Sequence, residues 1–145
     1  MIYWDTSALL KLYVPEPDSE YFLSLVSRDE QPVCSSSIAT VEILCAVSRK
    51  ERSGEIKPGS VNSILRKFKA DCGSGRIVLV PYGEDVLARS EQVVRLAFRP
   101  PHAVIVRSLD VLHIASALLV GAKAMIATDT RLREVALLAG LKLVP

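Results

Sequence analysis

Short apolar runs alternate along the chain with longer stretches in which apolar residues recur at helical spacing, and this alternation predicts an α/β domain on a parallel sheet. Residues 1–4 read as a first strand, and 7–14 as a short helix stopped by Pro15 and Pro17. A helix is predicted over 18–27, where Phe22, Leu25 and Val26 share a face, then a short strand over 32–34. Residues 37–52 form the next predicted helix, with Ser36 or Ser37 as N-cap and Gly54 as its end, and 58–72 an amphipathic basic one. The β-branched run 77–80 is a strand closed by Pro81, followed by a helix over about 84–98 that Arg99-Pro100-Pro101 ends. Residues 103–106 fit either a strand or the lead-in to a helix over 108–120. A strand over 124–127, a helix over 130–139 and a last strand over 141–144 complete the pattern.

Half of the 145 residues are hydrophobic, enough for one compact domain with a buried core, so a single domain over 1–145 is expected. Cys34, Cys45 and Cys72 are too few and too scattered for a disulfide framework and form no paired metal-ligand motif, which suits a reducing cytoplasm. The N-terminus has no basic region ahead of an apolar run, and His113, Ser116 and Lys123 break the longest apolar stretch, so a soluble, unprocessed chain away from membranes is expected. The net charge of +2 is mild. Arg49, Lys50, Arg52 and Lys57, and then Arg66, Lys67 and Lys69, could form a surface that attracts phosphates or could be solvated helix faces.

Against this background four carboxylates stand out, because each lies inside or at the end of an apolar stretch, where an uncompensated charge is costly. Asp5 directly follows the first strand and Asp129 follows the run Ala124-Met125-Ile126-Ala127 and Thr128, at the strand ends where open α/β sheets bind ligands. Each could equally cap the helix that follows it. Glu42 sits in a helix that is apolar nearly all round; at roughly 100° per residue it lies among Ile38, Cys45 and Ala46, with Arg49 as a possible ion-pair partner. Asp110 is the only acid between Ala103 and Val120; Arg107 could neutralise it, or it could answer the helix dipole. Glu42 and Asp110, with nowhere polar to go, carry most of the case for a site.

Clustered carboxylates suit Mg²⁺ or Mn²⁺, hard ions that prefer oxygen ligands, whereas zinc fits poorly with only His102 and His113 on offer. An ion held this way can polarise a phosphodiester and activate water as the nucleophile. Serine–histidine catalysis is disfavoured by the absence of a G-x-S-x-G elbow; Ser7 suits bonding to a carboxylate, a metal water or a helix end. His113, on an apolar helix, reads as a core or supporting histidine, and Tyr3 and Trp4 as packing residues of the first strand.

Asp5-Thr6-Ser7-Ala8-Leu9, Glu42 in its apolar helix, the segment Arg107-Ser108-Leu109-Asp110-Val111-Leu112-His113-Ile114-Ala115-Ser116-Ala117, and Thr128-Asp129-Thr130-Arg131-Leu132 together resemble the PIN-domain family, most closely its VapC-type toxins. The resemblance implies a three-layer α/β/α fold around a parallel sheet and a Mg²⁺- or Mn²⁺-dependent endoribonuclease. Asp5, Glu42, Asp110 and Asp129 would be its metal-site and catalytic positions, with Ser7 and Thr128 supporting them. Relatives of this type usually form homodimers and are held inactive by an antitoxin whose tail enters the acidic groove. Within that picture Asp5 and Asp110 are expected to bind the main ion directly, and Glu42 and Asp129 through water or a second ion. The segment 99–106, with its double proline, is the least family-like.

Two other readings are open to the sequence. Asp5 after a first strand could be the nucleophile of a haloacid-dehalogenase-like phosphatase, but Ser7 stands where that family has a second Asp. A catalytically silent module could instead use the same scaffold to bind RNA or protein.

Overall fold

A computed structural model describes residues 1–28 and 31–144. In chain order the elements are β1 (Ile2–Trp4), α1 (Thr6–Leu10), α2 (Ser19–Arg28), β2 (Val33–Ser36), α3 (Ala39–Arg52), α4 (Ser60–Gly73), β3 (Ile77–Val80), α5 (Glu84–Ala97), α6 (Ser108–Leu119), β4 (Ala124–Ile126), α7 (Thr130–Leu138) and β5 (Lys142–Leu143). The strands form one five-stranded sheet in the order β3-β2-β1-β4-β5, with every pairing parallel.

Parallel neighbours need crossovers, and the crossovers carry the helices onto both faces of the sheet. Successive residues of a strand point to opposite faces, so each strand feeds two cores. Tyr3, Cys34 and Met125 pack with Val86, Val93, Ile114 and Leu132, which belong to α5, α6 and α7. Trp4, Val33 and Ile126 pack on the other face with Leu9, Phe22, Ile43, Val47 and Phe68, from α1 to α4. The expected three-layer α/β/α arrangement is therefore observed, and the near-continuous apolar character of the short strands follows from burial on both sides. The strand order reverses between β1 and β4, which register Ile2 with Ala124 and Trp4 with Ile126. Open sheets bind ligands at the carboxyl ends of strands at such a reversal.

Several boundaries differ from expectation for local reasons. The helix predicted to run to Val14 ends at Leu10, where three-residue steps (Lys11 N–H to Ala8 O, Leu12 to Leu9, Tyr13 to Leu10) tighten the chain ahead of Pro15. Neither Ser36 nor Ser37 is the N-cap of α3: the cap position is Ile38, with no side-chain bond, and Ser37 Oγ instead accepts the Tyr82 N–H at 2.9 Å. Gly54 does end α3. Its φ of 78° lets the Glu55 N–H reach back to Lys50 O, a turn that a side chain at position 54 would strain. Residues 103–106 are neither helix nor strand. Among the described residues all three cysteines are free, and no helix is long and apolar enough to cross a membrane.

Candidate active site

Four elements meet at the carboxyl ends of β1 and β4 and line a groove of about 770 Å³. Asp5 enters from the end of β1, Glu42 from α3, Asp110 from the first turn of α6, and Asp129 from the approach to α7. The four acids separated by up to 124 positions thus share one surface, with Ser7, Thr128, Thr6, His113 and Arg107 between them.

For Asp5 and Asp129 the choice between helix cap and site residue dissolves, because a carboxylate has two oxygens. Asp5 Oδ1 accepts the Ala8 N–H at 2.9 Å and so caps α1, yet the side chain stays in the groove wall at only 5 % exposure. Ser7 Oγ lies 2.8 Å from both Asp5 oxygens, and the Thr128 hydroxyl donates to Ser7 Oγ at 2.6 Å. A chain of hydroxyls therefore links the end of β4 to the acid at the end of β1. Asp129 Oδ1 caps α7 through the Arg131 and Leu132 N–H groups, while Oδ2 accepts from Arg107 Nη2 at 3.0 Å. Burial pushes the Asp5 carboxyl above its usual range, against the pull of the Ala8 N–H, the His113 ring and Ser7.

Glu42 departs from the sequence reading in two respects. Its helix is not buried all round: Ile43 and Val47 are inside, but Val41 and Leu44 are 63 % and 41 % exposed, and Glu42 sits at the border between the two sides. Its partner is not Arg49. Glu42 Oε2 instead lies 2.7 Å from His113 Nε2 and accepts a hydrogen bond from the Thr6 hydroxyl. Burial alone would raise the Glu42 carboxyl, but the His113 and Thr6 bonds and the field of Arg107 outweigh it and hold the group below its usual range. The anion is therefore the resting form. His113 itself is 2 % exposed, with Nδ1 2.8 Å from the Tyr3 hydroxyl, a supporting position in accord with the sequence reading.

Asp110 is buried, and Arg107 neutralises it as the sequence suggested, with Nε 2.8 Å from Oδ2. Less foreseeable is that the same guanidinium spans to Asp129, so one cation bridges two of the four acids. Of the basic clusters, only Arg49 and Lys50 line the groove; Arg52, Lys57, Arg66, Lys67 and Lys69 are solvated. Thr6 stands in the sequence only as a member of the Asp5–Leu9 motif, and its place beside Asp5 is the one signal there of a role at the site.

The donor set is chemically suited to a hard divalent cation: carboxylate and hydroxyl oxygens dominate, and both nitrogens of the single histidine are already engaged. The acids ring the groove rather than forming a closed cage. Among the described residues no three His, Cys, Asp or Glu side chains stand close enough to hold an ion as placed, since Arg107 lies between Asp110 and Asp129 and Glu42 turns toward His113.

Residues 2–138 match the family model of the PIN domain. The chain belongs to the PIN-domain family. Ribonuclease VapC47 of Mycobacterium tuberculosis (strain CDC 1551 / Oshkosh) is 30 % identical to it over 120 residues, 81 % of this chain and 74 % of that protein. Among solved structures, this PIN domain resembles FitAB bound to an IR36 DNA fragment, with a TM-score of 0.71 at 17 % identity over 99 % of this chain and 94 % of that one. VapBC2 from Rickettsia felis, bound to a DNA fragment from its promoter, matches with a TM-score of 0.67 at 18 % identity, covering 99 % and 98 % of the two chains. At such identities the structural likeness speaks to the fold.

Proposed function

We propose that this PIN domain is a Mg²⁺- or Mn²⁺-dependent endoribonuclease and the toxin of a toxin–antitoxin pair, acting in the cytoplasm as a homodimer restrained by a cognate antitoxin. The observation that carries the reading is the convergence of Asp5, Glu42, Asp110 and Asp129 on one groove at the sheet's reversal point, with Arg49 and Lys50 also in its lining. The likeness to a protein named as a ribonuclease supports the substrate class, and the likeness to VapBC2 and FitAB supports the toxin–antitoxin setting.

In this reading Asp5 and Asp110, the two most buried acids, would hold the principal ion, with Glu42 and Asp129 orienting water or a second ion. The bound ion would supply Lewis-acid stabilisation of charge developing on the phosphodiester oxygens. The chain's own residues set the stage for it. Ser7 and Thr128 fix the rotamer of Asp5, the Ala8 N–H holds one of its oxygens, and Thr6 and His113 hold Glu42 as an anion able to accept a proton from water. Arg49 and Lys50 would meet the phosphate backbone as it enters.

The test is cleavage of a mixed RNA pool by the purified chain with Mg²⁺ or Mn²⁺. Activity should vanish on chelation and fall by about a hundredfold or more in Asp5→Ala. Cleavage that survives both changes would point to a contaminating nuclease and remove the reading.

A further inference from the structure

Beneath the groove, the acid on α3 is anchored through the core to a side chain two residues before Asp5. Tyr3 is fully buried in β1, His113 is buried on α6, and the series Tyr3 Oη, His113 Nδ1 at 2.8 Å, His113 Nε2, Glu42 Oε2 at 2.7 Å runs from the sheet interior to the groove. The ring planes of Tyr3 and His113 meet edge-on at 71°, so the contact is made by the hydroxyl rather than by stacking.

Donor counting places the proton that faces Glu42. An ionised carboxylate only accepts, and the single Thr6 hydroxyl proton is committed to Glu42. His113 Nε2 must therefore carry the proton that reaches Glu42. Nδ1 meets the Tyr3 hydroxyl, which can serve the ring as donor or as acceptor.

We infer that Tyr3 and His113 act as positioning residues for Glu42: the buried Tyr3 hydroxyl holds the His113 ring through Nδ1, and the Nε2–H, with Thr6, fixes the Glu42 carboxylate toward the groove. The Asp5 end of β1 and the Glu42 face of α3 are thereby set relative to each other by one side chain of the same strand. Partners that orient a ligand-bearing side chain in this way typically change metal affinity or activity by about 10–100-fold when removed. The inference rests on the proposed metal role of Glu42, and its test separates the two.

Long-range ¹⁵N–¹H NMR of the metal-free protein should show a proton on His113 Nε2. A ring without a proton there would overturn the anchor whatever the protein's activity. Calorimetric titration with Mn²⁺ supplies the second arm. Tyr3→Phe, which keeps the ring and the packing, should bind Mn²⁺ about tenfold more weakly. His113→Asn should lose about 10–100-fold, whereas His113→Gln, whose longer amide can place an N–H where Nε2 stood, should recover most of it. Equal losses in the Asn and Gln variants, with folding verified by circular dichroism, would reduce His113 to a packing residue. Absence of Mn²⁺ binding in the unaltered protein would instead refute the metal reading, and the anchor would then stand or fall on the NMR arm.

Discussion

Two clusters of charge lie side by side on this molecule and are built on opposite principles. At the end of α1, Lys11 pairs with Glu16 and Asp18, and Lys50 pairs with Glu16 and Glu55, so three acids face two lysines and nearly every charge is answered. In the adjoining groove, Asp110 and Asp129 share one arginine, Arg107, while Asp5 and Glu42 have no lysine or arginine bridge among the described residues. Arg49 also lines it, as do Lys50 and Glu55 of the first cluster. The first cluster ties α1, α2 and α3 together. The second holds more negative charge than its own cations neutralise, at a place where the backbone topology favours a ligand, and such an excess is better explained by a reaction than by folding. Proteins that keep a surplus of this kind do so at some cost in stability, and that cost can be measured.

The sharpest way to break the comparison is Asp5→Asn. Asparagine caps a helix about as well as aspartate, so the bond from the Ala8 N–H survives while a buried charge is removed. RNA cleavage should fall by about a hundredfold or more, yet stability at neutral pH should stay level or rise by up to about 1 kcal/mol in a chemical denaturation series. A variant that is both inactive and clearly less stable would mean Asp5 serves the fold first.

Arg107→Ala removes the cation that bridges Asp110 and Asp129 and should have a smaller effect. The arginine side chain is 63 % exposed, so its bridges contribute little to stability. Removing a positive charge from among the acids should nevertheless tighten Mn²⁺ binding by about threefold to tenfold at low ionic strength, with the gain shrinking as salt is added. Unchanged affinity would show that the guanidinium swings clear of the groove before an ion arrives.

How much of this contrast could be read from the chain depends on how local its causes are. The strand over Ile77–Val80 is placed correctly because β-branched residues between turn formers leave few alternatives, and α6 because its apolar positions are continuous. The same continuity misled for α3: when nearly every position is apolar, periodicity cannot say which side faces the core, and Val41 and Leu44 lie outside. The four acids were legible as energetic oddities. Their partners were not, since Tyr3 and His113 are 110 positions apart, and Arg107 reaches Asp129 across 22. Spacing along a helix reveals Arg107 beside Asp110, but only the sheet order brings the end of β4 next to both.

The balanced cluster offers the smallest and most specific check. Glu16 is held below its ordinary value of 4.5 chiefly by the Lys11 bond, and Lys50 adds to this, with burial opposing. Its folded-state pKa is depressed, so its contribution to stability is fully present above the unfolded-state value and disappears as pH falls through the folded-state one. Glu16→Gln should therefore lower stability by about 1 kcal/mol at pH 7, since both partners are largely shielded from solvent, and the difference from the unaltered protein should fade as pH falls below the ordinary value of 4.5. Cleavage per folded molecule should not change, because Glu16 does not line the groove. A loss of activity in Glu16→Gln would mean that Lys50, shared between the ion-pair cluster and the groove lining, is positioned for RNA by its carboxylate partners. The two clusters would then be one device rather than neighbours built for different ends.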